Sequence, residues 1–265
     1  QRYLGKKDFP FIKLSSRIIS DYQGKLLASG ICDNTIGFYL HNIKALFRKG
    51  CREMGLELPC PFRDISIKTK KTLKRSLDPV VIKTLSAIEL EKDSPLSLAR
   101  DIFMFSFYTR GMSFVDIALL KKRHVFPGEI CYRRHKTDQL MRVGINKEIS
   151  RILERYKNVP GEYIFPLFPA ERDPYAGYRN AYHRIRYSLG KISRVIGLEF
   201  PLRLHAARHS WATIAKVNGA SVHVIGECLG HTSEKTTRIY LKELDHSALD
   251  AVNNQVADFI LAVDD

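Results

Sequence analysis

Apolar residues recur at helical spacing along most of the chain, and in a single stretch they alternate instead. From Phe11 to Leu27, Ile and Leu return as they would on one face of a helix. A second helix is expected from about Thr35, with Phe38, Ile43, Leu46 and Phe47 as its apolar positions. Pro59 and Pro61 end that unit around Cys60-Pro61-Phe62, because neither ring can continue a helix. Asp78 followed by Pro79 marks a new start, the carboxylate as N-cap and the ring at the first helical position. The mostly apolar run from Phe103 to Leu120 predicts one or two core helices. Alternation appears in Glu129 to Arg134 and in Leu140 to Ile145. There Ile130 and Tyr132 face Met141, Val143 and Ile145, and the polar HKTDQ between them forms a hairpin tip. The remainder reads as helical, with stops at Gly219 and Gly230. The pattern gives a mainly α chain with one small β-hairpin. It divides into a helical domain over residues 1–75, closed by a linker at about 60–75, and a mixed α+β domain over 76–265 with a tail at 241–265.

Charge narrows the partners. Forty-three Lys and Arg against 28 Asp and Glu leave a net charge of +15 in 265 residues, the usual footprint of a nucleic-acid partner, with a generally basic enzyme or a polybasic membrane-surface protein as the alternative on composition alone. The linker concentrates it: Arg63, Lys68, Lys70, Lys71, Lys74 and Arg75 are opposed only by Asp64. Such a run reads either as a solvated face or as a segment that touches phosphates while crossing a duplex. With 45% apolar residues and 10% aromatics the chain has ample surface to bury, which excludes disorder. No apolar run approaches the roughly 18 residues of a membrane span. The five cysteines contain no C-x-x-C pair, so they are expected as small core residues of a protein in a reducing cytosol. A first residue Gln1 in place of Met reads as the start of a fragment.

Candidate chemistry gathers near the C-terminus. Leu204 to Val217 should be a helix with Leu204, Ala207, Trp211 and Ile214 on its core face and His205 and Arg208 on an outward flank. His205 and His209 stand at i, i+4, but no third ligand follows at a matching spacing, so no metal site is expected and His209 reads as structural. Ser221 caps a short helix that stops at Gly230, His231 follows at once, and Ser233 opens a helix carrying Tyr240. Taken as a helix pair alone, Ser221 to Tyr240 would also suit a non-catalytic helix-turn-helix.

The segments LHAARHSWAT and LGHTSEKTTRIYL, with RRHKTDQL upstream, together resemble the tyrosine recombinases, the phage- and transposon-type integrases. The resemblance extends over essentially the whole chain: a helical core DNA-binding domain first, then the catalytic domain. It implies a site-specific recombinase that cleaves and rejoins double-stranded DNA through a 3′-phosphotyrosyl bond at Tyr240. Arg208 would fork hydrogen bonds onto the phosphate, and His231 would add another. His205 would accept the phenol proton, and Lys136 would protonate the departing 5′ oxygen. Because the phosphotyrosyl bond stores the energy of the broken bond, this chemistry calls for no cofactor, neither ATP nor metal. A type IB topoisomerase uses similar chemistry, but the motif spacing favours a recombinase. A plain DNA-binding module has no use for Lys136, His205, Arg208, His231 and Tyr240 together. The resemblance further implies a synaptic tetramer on DNA, room for an accessory DNA-bending protein, and a cytoplasmic, nucleoid-associated prokaryotic setting.

One departure stands out. The family places its first arginine three residues before an acid, and RGMSFVDIALL aligns Ser113 with that arginine and Asp116 with the acid. A subgroup of mobile-element integrases resembling this sequence shows the same displacement. Arg110, a helical turn earlier, is the expected replacement, with Lys121 and Arg134 as alternatives. The tail pairs an acidic composition with a helical apolar stripe through Leu249, Val252, Val256, Phe259, Ile260 and Val263, which either folds back on its own domain or, as the resemblance implies, docks on a neighbouring protomer.

Overall fold

The computed structural model describes residues 9–68, 70, 76–168, 174–231 and 233–241, and these fall into two compact units divided between Leu73 and Lys74. The tail from 242 onward, with its apolar stripe, lies outside the described residues, as do Lys71, Lys74 and Arg75. No helix among the described residues is long and apolar enough to cross a membrane.

The first unit is built on two helices, α1 (Ser16–Ala28) and α2 (Asp33–Glu53). The expected helix from Phe11 is broken: a short 3-10 turn covers Phe11–Lys13, and Ser15 caps α1 by accepting from the Ile18 N–H. Ile19, Ile36, Leu40 and Phe62 form the core. Of the expected apolar positions of α2, Phe47 is buried and Ile43 packs against this core, whereas Phe38 and Leu46 point away from it. Phe38 and Leu46 are 64% and 69% exposed, while Ile36, Leu40 and Phe47 are buried. Two apolar stripes exist on this helix, and the one that meets Ile19 and Phe62 turns inward. The basic segment also folds back here, through hydrogen bonds from Gln23 to the Ser66 carbonyl and in both directions between Asn34 and the Lys70 backbone.

The second unit contains eight helices among its described residues. These are α3 (Pro79–Ala87), α4 (Pro95–Tyr108), α5 (Phe114–Ala118), α6 (Lys147–Arg155), α7 (Pro174–Val195), α8 (Leu204–Val217), α9 (Val222–Leu229) and α10 (Glu234–Tyr240). The run from Phe103 to Leu120 resolves into the end of α4, a turn and α5. Asp78 caps α3, Ser221 caps α9 and Ser233 caps α10, as the sequence indicates. Gly230 stops α9 in the left-handed conformation. β2 (Glu129–Arg133) pairs antiparallel with β3 (Leu140–Gly144) in the expected register, Ile130 opposite Val143 and Tyr132 opposite Met141. A short β1 (Val125–Phe126) adds a third strand outside β2.

The central helix is α4. Its Ile102, Phe103 and Phe105 are fully buried. Its Asp101 is buried too, a position that demands partners for the charge. It accepts from Arg100 Nε at 2.6 Å and Tyr156 Oη at 2.9 Å and pairs with Arg155, which ties α4 to α6. A smaller core of Ala212, Ile225, Leu229 and Leu241 joins α8 and α9 to the residue just after α10. The five cysteines are free, and none is fully buried; the core is closed by larger aliphatic and aromatic side chains instead.

Candidate active site

Four chain segments meet around Arg208: the turn after α4, the β2–β3 hairpin, α8, and the junction between α9 and α10. Arg208 does not lie on an outward flank. It is 5% exposed, and its guanidinium is bonded on both sides. Nη1 donates to the Gly111 carbonyl at 2.8 Å, and Nη2 donates to the Leu229 carbonyl and lies 3.0 Å from His231 Nε2. Helical periodicity placed this arginine in water because it counts charges as surface, whereas here the backbone carbonyls of two loops take the charge inward. Gly111 makes the approach possible. A Cβ there would fall 2.5 Å from Arg208 Cγ, and its φ of +75° favours glycine.

The hairpin contributes a second buried guanidinium. Arg134 is 8% exposed and donates from Nη1 to the Gly230 carbonyl, beside His231. Two residues on, Lys136 stands exposed in the tip turn. The tip is tied down by Asp116, whose Oδ1 accepts from the His135 N–H at 2.7 Å and whose Oδ2 accepts from Ser113 Oγ at 2.5 Å. Ser113 thus caps α5 and holds the acid. Arg110 is half-buried at φ +59° and sends Nη1 toward the Arg142 carbonyl at 3.4 Å, on β3. Beneath the hairpin, burial pushes the Tyr132 phenol far up, while Arg208, Arg134 and Arg110 pull it back.

His231 sits within this positive field. Burial first, then Arg208, Arg134 and Lys136, press its imidazole down from 6.5 to about 4, so it is neutral at pH 7. Its Nδ1 lies 3.0 Å from Thr237 Oγ1 on α10. Below about pH 6.5 the unfolded chain takes up a proton here that the folded site refuses until about pH 4, so stability falls as pH drops through that window. The variant His231→Asn is expected to flatten that part of the acid slope, measured as Tm against pH; an unchanged slope would place the acid sensitivity elsewhere. His205 is exposed on the next turn of α8 and meets the His209 ring edge-on at 4.8 Å. Tyr240 closes α10; its side chain lies outside the described ones.

Of two features, one stands in the sequence only as an alternative and the other goes unread. Period-two alternation already puts Arg134 on the inner face with Ile130 and Tyr132. The other is α7, which lacks any Asp or Glu. Its Ala181, Ile185, Ser188, Leu189 and Ile192 face the core, and Arg179, His183, Arg186, Lys191 and Arg194 are all exposed. Of the linker cations, Lys68 is exposed, and Lys70 is paired with Asp33 at 2.8 Å, which holds that carboxyl below its usual range.

A model of the phage integrase family matches residues 76–246, which holds every residue of this cluster. The chain belongs to the phage integrase family. Tyrosine recombinase XerC of Shewanella oneidensis is 26% identical over 226 residues, covering 82% of this chain and 70% of that protein. Tyrosine recombinase XerD of Pseudomonas putida is 36% identical over 94 residues, 33% of this chain and 30% of that one. The integrase family fold recurs in a lambda integrase dimer bound to a core site. There the TM-score is 0.68 at 17% identity, covering 92% of this chain and 87% of that one. The Tn1549 transposon integrase in complex with circular intermediate DNA gives 0.67 at 16%, with coverage of 94% and 89%. As an integrase-family member with these relatives, the protein is a tyrosine-type site-specific recombinase.

Proposed function

We propose that this recombinase breaks and rejoins duplex DNA with Tyr240 as nucleophile and the Arg208–Arg134–His231 cluster as the phosphate site. The phenolic oxygen attacks phosphorus, a 3′-phosphotyrosyl bond forms, and the bond to the 5′ oxygen breaks. The phenol proton passes to His205, and Lys136 supplies one to the departing 5′ oxygen. Reversal with a new 5′ hydroxyl rejoins the strand. The observation that carries this reading is the pair of buried guanidiniums, Arg208 and Arg134, held by backbone carbonyls around one neutral histidine. Donors fixed before substrate arrives stabilise developing phosphorane charge without reorganising. Burial supports Arg134 in the role that Ser113 leaves open, with Arg110 at the rim. Incubating the protein with a nicked half-site tests the reading. An SDS-stable, protease-sensitive adduct is expected, and its absence on a half-site the protein binds would overturn the proposal.

The partner is double-stranded DNA, gripped by α7 together with Lys68, Lys70, Lys71, Lys74 and Arg75. At 1.5 Å per residue α7 is about 33 Å long, close to one duplex turn. Replacing Arg179, Arg186 and Arg194 with Gln is expected to weaken binding to all sequences. It should also flatten the salt slope by about 1 per lost phosphate contact in gel-shift titrations. An unchanged slope would remove α7 from the interface. Strand exchange between two sites calls for two protomers on each, hence a synaptic tetramer, the state in which lambda integrase is seen on a Holliday junction. The Ser113 departure, shared with the mobile-element subgroup the sequence resembles, supports integration and excision of such an element as the task.

A further inference from the structure

Among the polar groups of the second unit, one buried hydroxyl has no part in the chemistry above. Thr237 is fully buried on α10, one helical turn before Tyr240, and its Oγ1 lies 3.0 Å from His231 Nδ1. The space it fills is left by Gly226 on α9, where a Cβ would come within 2.9 Å of that same oxygen. Gly226 also accepts the His231 N–H through its carbonyl at 2.9 Å, so one residue shapes the seat of both partners.

The bonds around the imidazole determine its tautomer. On the far side, Arg208 Nη2 stands 3.0 Å from Nε2, and a guanidinium can only donate. Nε2 must therefore offer a lone pair. The ring is neutral, so its single proton is on Nδ1 and is donated to Thr237 Oγ1. A phosphodiester placed at Arg208 reverses the demand: the anion wants an N–H, which Nε2 supplies only if Nδ1 gives up its proton to water and Nε2 takes one. A threonine hydroxyl suits both states, since it can accept from Nδ1–H and, after rotating, donate to bare Nδ1.

We propose that Thr237 is a positioning residue for recombination: its hydroxyl holds the Nδ1 side of His231 in either protonation, as acceptor or as donor, and its place on α10 makes seating of the tyrosine helix and orientation of the phosphate-site imidazole one event. This rests on His231 belonging to the phosphate site. The cations facing that ring come from two other elements, Arg208 from α8 and Arg134 and Lys136 from the hairpin. None of them can accept the Nδ1 proton, and Thr237 is what receives it.

Three variants test this in the full chain. Thr237→Val keeps the volume and loses the hydroxyl, Thr237→Ser keeps the hydroxyl, and His231→Asn assigns the ring signals. Ring 15N shifts of His231 report the tautomer, and single-turnover trapping on a nicked half-site reports the chemistry. In Thr237→Val the Nδ1–H loses its acceptor, so the His231 Nδ1 signal is expected to shift away from its hydrogen-bonded position, with adduct formation slowed about tenfold or more at unchanged half-site affinity. Thr237→Ser should hold the Nδ1 signal and stay within about threefold of the parent rate. A Val variant with the parent Nδ1 signal and rate would overturn the proposal, and so would a Ser variant as slow as Val, which would show that packing alone was lost. If His231→Asn itself formed adduct at the parent rate, the phosphate-site reading of His231 would fall, whatever Thr237 does.

Discussion

Tyr240→Phe is expected to abolish covalent adduct formation while leaving half-site affinity within about twofold. Only one oxygen leaves, and no other group can replace it. On the proposed reading the phenolic oxygen is the atom that holds the 3′ phosphate, so its loss removes the intermediate itself; it does not merely slow a step. Another tyrosine is close to the cluster, Tyr132, but burial drives its phenol strongly toward the protonated form. The fold of the helix should tolerate the change, since α10 is held by its Ser233 cap, by Thr237 and by Leu241 in the small core. The check is an SDS gel of labelled nicked half-site with each protein, alongside a gel shift. An adduct on the Phe variant would place the nucleophile on another side chain.

The second large effect concerns the guanidinium that Ser113 does not supply. Arg134→Ala is expected to slow cleavage on the order of 10²-fold or more, the scale of removing one preorganised oxyanion donor. Arg110→Ala should cost clearly less. Arg134 is buried beside His231 with a backbone carbonyl orienting it, whereas Arg110 is half-exposed and reaches toward β3. Arg134→Lys should not restore the rate, because an ammonium lacks the planar fork that grips two phosphate oxygens. Single-turnover rates on the same half-site rank the variants. A larger loss in Arg110→Ala than in Arg134→Ala would return the role to the residue that the linear motif favours.

What was legible in the sequence was local. Caps at Asp78, Ser221 and Ser233 follow from side-chain oxygens that can reach nearby N–H groups, and the hairpin register follows from alternation across a short tip. The functional motif was legible for the same reason, since its residues share one short stretch: His205 and Arg208 lie on α8, His231 in the turn after α9, and Tyr240 at the end of α10. Where tertiary partners decide, the pattern was ambiguous. Helix α2 carries two apolar stripes, and only contact with Ile19 and Phe62 selects the one through Ile36 and Leu40. Periodicity turns Arg208 to solvent because hydropathy makes no allowance for a charge held by the carbonyls of Gly111 and Leu229. The same assumption ranks Arg134 only as an alternative, although alternation turns it inward.

The bonds of Arg208 reach 97 residues back, to Gly111, and 21 residues forward, to Leu229. Chains leave the ribosome N-terminus first, at about 5–20 residues per second. Everything up to α7 can therefore emerge and pack before the guanidinium, the histidine or the nucleophile has been synthesised. A product cut short before Arg208 would carry α7 and lack the proposed phosphate site and nucleophile together.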